Sequence, residues 1–226
     1  MLQKYDVQVP RYTSYPTVPA WSKTPATQDW FQDVQVSLQS DDSAWSLYIH
    51  VPYCETLCTF CGCNNIITKD HSKEASYVDH LLKEFALYMK NVPELKVRKL
   101  KHLHLGGGSP TFLTASELGR LVSSILGQVK IDPQHFEGSI EVDPRRTKVE
   151  QLKVLRELGF SRVSLGVQDF NEKVQNLINR KQSFEITENI TRAARELGYQ
   201  SVNFDLIYGL PAQTLELIES TVEKTL

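Results

Sequence analysis

Cys54-Glu55-Thr56-Leu57-Cys58-Thr59-Phe60-Cys61-Gly62-Cys63, entered from Leu47-Tyr48-Ile49-His50-Val51-Pro52, contains every cysteine of the 226-residue chain. Four thiols packed this closely are not a disulfide framework, whose half-cystines are spread along the chain to close loops. Free cysteine is also a small core hydrophobe, and positions 54, 58 and 61 would share one face of a helix. Gly62 and the polar Glu55 and Thr56 fit that reading badly, and metal is the better one. Structural zinc takes two Cys-x-x-Cys or Cys/His pairs separated by a spacer, and this sequence has no second pair. Cys54-x-x-x-Cys58-x-x-Cys61 instead supplies three thiolates on one short loop. On a four-iron cluster they leave one iron without a protein ligand and open to a substrate or cofactor.

Outward from this loop the chain becomes regular. Residues 46–51 read as a strand that the cysteine loop leaves at its C-terminal end. Residues 72–89 read as a helix, with Tyr77, Val78, Leu81, Leu82, Phe85, Tyr88 and Met89 on one side and Pro93 beyond its end. A second strand over 100–105 runs into Gly106-Gly107-Gly108-Ser109-Pro110. Thr114-x-x-Glu117 is a capping box that opens a helix ending near Gly127. A third strand follows over 139–142, and Thr147-x-x-Glu150 reads as another capping box. Arg156-Glu157-Leu158-Gly159-Phe160 before a strand at 162–167 is echoed by Arg195-Glu196-Leu197-Gly198-Tyr199 before a strand at 201–207. Each echo is a helix end, a glycine suited to the left-handed cap, an aromatic and a strand. A helix begins at Thr214 and runs to the chain end. Alternating strands and helices predict an α/β fold with parallel strands, a partial (β/α) barrel.

Residues 1–26 lack sustained periodicity and read as an extended N-terminal arm. A short helix carries Trp30, Phe31, Val34 and Leu38 at helical spacing. The expected division is 1–45 for arm and helix and 46–226 for the barrel domain. Lys plus Arg is 25 and Asp plus Glu 27, a balance of −2 that suggests neither nucleic acid nor an acidic membrane surface as partner. No apolar run is long enough to span a bilayer, and no signal peptide is apparent. Clustered reduced cysteines agree with a cytoplasmic setting.

Candidate polar groups recur where each strand meets its following loop: Tyr48, Gly107 to Ser109, Glu141, Gln168 and Asp205. Sites of parallel β/α barrels are built at that C-terminal edge. Each residue alone has an ordinary explanation: a tight turn for the glycines, an ion pair for the carboxylates, a satisfied backbone group for Gln168. Five of them at one edge, beside a thiol loop, point to a site.

The Cys-x-x-x-Cys-x-aromatic-Cys spacing of Cys54, Cys58, Phe60 and Cys61 resembles that of the radical S-adenosylmethionine enzymes. Six motifs occur in order: Pro-Arg-Tyr-Thr-Ser-Tyr-Pro-Thr from Pro10, the cysteine motif, Leu-Gly-Gly-Gly-Ser-Pro-Thr from Leu105, Ile-Glu-Val-Asp-Pro-Arg from Ile140, Gly-Val-Gln-Asp-Phe from Gly166 and Phe-Asp-Leu-Ile-Tyr-Gly-Leu-Pro from Phe204. Together they are similar to the oxygen-independent coproporphyrinogen III oxidases along nearly the whole chain. The resemblance implies one 4Fe-4S cluster on Cys54, Cys58 and Cys61 and two molecules of S-adenosylmethionine. Tyr48, Gly107 and Glu141 would hold the first. Phe60, Gly108, Ser109, Gln168, Arg180 and Asp205 would hold the second.

Cys63 is assigned to the pocket, because a fourth thiolate would close the open iron; with Tyr48 it is the candidate catalytic residue. The implied reaction is decarboxylation of two propionates of coproporphyrinogen III to the vinyl groups of protoporphyrinogen IX by a 5′-deoxyadenosyl radical. Arg11 in the arm is a candidate propionate partner. An electron donor such as flavodoxin or ferredoxin is implied, with the full-length enzyme a monomer. The family continues further, so the chain reads as an N-terminal piece, with its last strand an open edge and the activity and solubility of the piece by itself in question. A heme-binding, chaperone-like relative lacking decarboxylase activity and a zinc-binding module using all four thiols are the alternatives.

Overall fold

The computed structural model describes residues 17, 20–22 and 24–226. Its strands are β1 (Ala44–Val51), β2 (Tyr53–Cys54), β3 (Ile66–Ile67), β4 (Lys99–Gly107), β5 (Lys130–Ile131), β6 (Glu137–Val142), β7 (Phe160–Gln168) and β8 (Ser201–Leu206). Its helices are α1 (Thr27–Ser37), α2 (Lys73–Asn91), α3 (Glu94–Val97), α4 (Ala115–Leu126), α5 (Val149–Glu157), α6 (Glu172–Leu177), α7 (Phe184–Glu196) and α8 (Leu215–Glu223). The main sheet runs β1-β4-β6-β7-β8, every pairing parallel, with β5 against the start of β4. The five long strands are those expected from the sequence. Their order advances in one direction, so all their C-terminal ends lie along one rim of an open arc.

One face of the arc is apolar and packed under helices. Leu103, Leu105, Ile140, Val163 and Leu165 of the sheet are buried. They share one core with Val78, Phe85 and Met89 of α2, Leu118, Leu121, Val122 and Ile125 of α4, and Leu152 and Leu155 of α5. The strict alternation of burial along β6 sends Ser139 and Glu141 to the opposite, concave face. Phe31 and Leu38 of the α1 region join the same core, whereas Trp30 points outward and donates from its indole Nε1 to the Tyr88 hydroxyl at 3.1 Å.

Capping follows the sequence at four of the five ends it marked. The Thr114 side chain accepts from the Glu117 N–H, and Thr214 accepts from Leu217. Gly159 and Gly198 adopt φ of +93° and +84°, as their position after a helix end requires. Thr147 is the exception. The cap of α5 is Lys148, whose backbone N–H donates to Gln151 Oε1 at 2.7 Å. Thr147 turns inward and donates to the Asp143 carbonyl and to Thr111 Oγ1. A buried hydroxyl partner is thus stronger than the local capping option. The last helix also differs from expectation, closing at Glu223 with Lys224 as its cap.

Gln151 is buried and ties α5 to the segment after β4, its Nε2 donating to the carbonyls of Thr111 at 2.8 Å and Leu113 at 2.6 Å. Gln151→Leu removes these partners from a dry site while keeping the side chain's bulk. It should lower unfolding stability by about 3 kcal/mol, read as a lower urea midpoint with an unchanged m-value.

Candidate functional site

The cysteine loop leaves β1 at the rim and is pinned there by its neighbours. Ile66 donates its N–H to the Pro52 carbonyl at 2.7 Å and Thr68 to that of Cys54 at 2.8 Å, which closes the small β2–β3 pair. Thr59 donates its N–H to the Ile178 carbonyl at 3.1 Å, and Asn179 donates from Nδ2 to Leu57 at 2.7 Å. Phe60 inserts beside a second small core of Val174, Ile178 and Leu210. The loop therefore sits between the end of β1 and the turn after α6, over the concave face.

On the other side it meets the glycine run. Gly107 has φ +114°, and a Cβ there would lie 2.7 Å from the His50 ring. A Cβ on Gly108 would lie 2.6 Å from the Pro52 carbonyl oxygen and 3.0 Å from Cys54 Sγ. A side chain at Gly108 would push the thiol loop off the rim, and one at Gly107 would be strained and would meet the His50 ring.

One cleft results. It is lined by Cys54, Cys58, Cys61 and Cys63, by Phe60, by Gly107, Gly108 and Ser109, and by Glu141, Gln168, Arg180 and Asp205. These are residues expected from the sequence, brought together from four strand ends, the cysteine loop and the turn after α6. Tyr48 stands at its edge, near Glu141 on the concave face, with its ring stacked on His104 at 5.7 Å between centroids. Burial, and then the charges of Glu141 and Cys63, push the Tyr48 phenol upward. Arg11 lies outside the described residues.

Glu141 is held ready as a carboxylate. His104 Nε2 lies 3.2 Å from its Oε1, and the Gly107 N–H donates to Oε2 at 3.4 Å. The His104 hydrogen bond outweighs burial and holds the Glu141 carboxyl below the usual range. His104 is itself set by Ser139 Oγ, 2.7 Å from Nδ1. Asp205 accepts from Ser164 Oγ at 2.9 Å. Gln168 has a left-handed backbone, φ +70°, at the irregular end of β7. Arg180 has its terminal nitrogens on the Gly166 carbonyl at 2.7 Å and on Asp143 at 3.3 Å, while its buried Nε has no partner among the described residues.

The thiols fit a multi-iron group. All four line one cleft, and N–H donors aim at two of the sulfurs: Asn65 Nδ2 at 3.4 Å from Cys61 Sγ, and Arg180 and Arg145 at 3.7 and 3.9 Å from Cys58 Sγ. Among the described residues no three His, Cys, Asp or Glu side chains gather round a single ion. Burial, with Cys61 and Cys58 close by, pushes the Cys54 thiol up to about 11. Burial is the larger cause and the neighbouring sulfurs the smaller, and a positively charged iron centre would offset both by stabilising the thiolate.

Asn65, His104, Asp143 and Arg145 were not singled out from the sequence. Asp143 and Arg145 lie inside the quoted Ile-Glu-Val-Asp-Pro-Arg run, and that adjacency to Glu141 was the available signal. Nothing local marks Asn65 or His104, whose partners are reached only through the fold.

Comparison with known proteins agrees with this geometry. The family model described as the Radical SAM superfamily matches residues 48–225. The oxygen-independent coproporphyrinogen III oxidase of Pseudomonas aeruginosa is 40% identical over 227 aligned residues, covering 100% of this chain and 49% of that protein. The enzyme of the same name from Escherichia coli K12 is 41% identical, covering 99% of this chain and 48% of that protein. The solved structure of the Escherichia coli coproporphyrinogen III oxidase, described as a radical SAM enzyme, superposes with a TM-score of 0.86 at 40% identity, covering 99% of this chain and 49% of that one. The chain thus spans about half the length of the curated relatives it matches.

In the metal-free protein, alkylation of Cys54 should keep accelerating with pH beyond the point where an ordinary thiol has levelled off, with a midpoint of about 11. Peptide mapping after iodoacetamide pulses across a pH series measures it, and a plateau near the ordinary thiol range would contradict the crowding described here.

Proposed function

Because this chain belongs to the Radical SAM superfamily, we propose that its cleft carries out the oxygen-independent decarboxylation of coproporphyrinogen III to protoporphyrinogen IX. The convergence of Cys54, Cys58 and Cys61 with Glu141, Gln168 and Asp205 on one rim cleft carries the reading, and the likeness to the two coproporphyrinogen III oxidases supports the substrate. When bound, a 4Fe-4S cluster and S-adenosylmethionine supply a carbon radical able to take hydrogen from an unactivated carbon. At each of two propionates the substrate loses one hydrogen atom, one electron and CO2, and a vinyl group remains.

The chain's own residues bind, orient and shield. Cys54, Cys58 and Cys61 would hold the cluster. Tyr48, the Gly107 backbone and Glu141 hold the first S-adenosylmethionine, with the Glu141 carboxylate accepting hydrogen bonds from its hydroxyl or amino groups. Phe60, Gly108, Ser109, Gln168, Arg180 and Asp205 hold a second, whose carboxylate suits a guanidinium such as that of Arg180. Cys63 and Tyr48 border the reacting centre, and Arg11 of the arm receives a propionate. Residues 1–45 serve as arm and helix and 46–226 as the barrel domain. The setting is cytoplasmic, with a flavodoxin- or ferredoxin-type electron donor and a monomeric full-length enzyme. Among the described residues no helix is long and apolar enough to cross a membrane.

Anaerobic reconstitution should give a brown protein with about four irons. Cys54→Ser, Cys58→Ser and Cys61→Ser should each lose the iron, and Cys63→Ser should retain it. Glu141→Ala should keep the iron and weaken S-adenosylmethionine binding at least tenfold by equilibrium dialysis. A colourless zinc protein that requires all four cysteines would overturn the assignment, and cleavage of S-adenosylmethionine without porphyrinogen turnover would favour the chaperone-like alternative.

A further inference from the structure

The end of β6 delivers more than Glu141 to the cleft. Asp143 lies between two guanidiniums: Arg145 Nη2 is 2.7 Å from its Oδ2 and Nε 2.9 Å from its Oδ1, and Arg180 Nη2 is 3.3 Å from its Oδ1. The three side chains are 9–14% exposed. One carboxylate between two guanidiniums leaves one net positive charge in a largely dry place. That charge is aimed at one sulfur, since Arg145 Nη2 and Arg180 Nη1 both approach Cys58 Sγ, at 3.9 and 3.7 Å. Fixing Arg145 by two bonds to Asp143 also fixes the direction of its remaining N–H groups.

We propose that Arg145 is a positioning residue for the cluster, which holds Cys58 through an N–H···S contact and makes the cluster easier to reduce. The inference rests on the cluster assignment made above. Reduction adds one negative charge to an assembly already carrying three thiolates. A buried cation beside one of them favours the reduced state, as do hydrogen bonds to cluster sulfurs. Arg180 shares the geometry, but it also faces the remainder of the cleft through Gly166 and its unpartnered Nε. Arg145 also borders the cleft, but among the described residues its hydrogen bonds go only to Asp143 and Cys58, so the reduction potential reads its effect on the cluster directly.

The test is a redox titration of the reconstituted protein followed by electron paramagnetic resonance. Arg145→Gln should keep about four irons and shift the reduction equilibrium at least tenfold toward the oxidised state, about 59 mV for one electron. Arg145→Lys should recover part of the shift, because it keeps the charge and loses the paired geometry. Asp143→Asn, which removes the counter-charge, should move the potential in the opposite direction. A merely structural role predicts shifts unrelated to charge in all three. Unchanged potentials with full iron in Arg145→Gln would overturn the proposal. So would Arg145→Lys behaving as Arg145→Gln. If Arg145→Gln fails to hold iron, the opposite shift in Asp143→Asn decides, and its absence counts against the proposal. Failure of the parent protein to take up iron would instead overturn the cluster assignment itself.

Discussion

The close approach of Gly107 and Gly108 to the end of β1 is the contact on which the site depends. β1 and β4 pair in parallel through Val51 and Gly107, and Gly108 donates its N–H to the Val51 carbonyl at 2.8 Å. With no Cβ in the way, the chain turning out of β1 lies directly against the chain turning out of β4. Cys54 is thereby set down beside Gly108, and the Gly107 N–H is turned toward Glu141 on the next strand. A parallel sheet aligns strand ends by its hydrogen-bond register. The glycines convert that alignment into a shared cleft, and the thiol loop inherits its height above the rim from them.

The electrostatics divide the cleft into two kinds of anion. Glu141 and Asp143 have their own cationic or donor partners. For Asp143 burial works to raise the carboxyl, yet Arg145 and Arg180 outweigh it and keep it low. The thiols have fewer such partners, and burial, with the neighbouring sulfurs adding to it, pushes Cys54 up. The carboxylates are thus charged before any ligand arrives, whereas the sulfurs gain most of their stabilisation from the metal group that binds them. Such a site holds its organic contacts preformed and leaves its inorganic centre to be assembled.

Much of this was legible in the sequence because it is local. Helical spacing identified α1 and α2, a capping box opened α4, the left-handed glycines marked the helix ends before β7 and β8, and the Cys-x-x-x-Cys-x-x-Cys spacing pointed to a cluster. The strand-end residues were legible because each lies on its strand or just after it. What escaped is what depends on contacts between distant segments. Arg145 reaches Cys58 across 87 positions, and Asn179 reaches Leu57 across 122. Thr147 misled for the converse reason: its local pattern is that of a cap, but its hydroxyl finds Thr111 in the folded chain. Asp169, within the quoted Gly-Val-Gln-Asp-Phe run, is fully buried and unreadable as such from that run.

Asp169 also explains how the far wall of the cleft is kept in shape. It accepts from the Asn171 N–H at 2.6 Å, from Gln213 Nε2 and from Thr221 Oγ1 at 3.3 Å, which joins the turns after β7 and β8 to α8. Gln175 extends the network, with Nε2 donating to the Asp169 and Gln182 carbonyls and Oε1 accepting from the Gln182 N–H. Immediately before Asp169 stands Gln168, a non-glycine residue at φ +70° whose carbonyl accepts from Ile207. An unfavourable backbone of this kind costs on the order of 1 kcal/mol and persists only where its surroundings over-determine it. These six hydrogen bonds, four of them buried, can sustain that cost. The left-handed turn directs the chain out of β7 at the rim, between Arg180 and Asp205. The buried amides of α6 and the β8 turn therefore act on the site without touching it, by fixing the one strained residue that lines it.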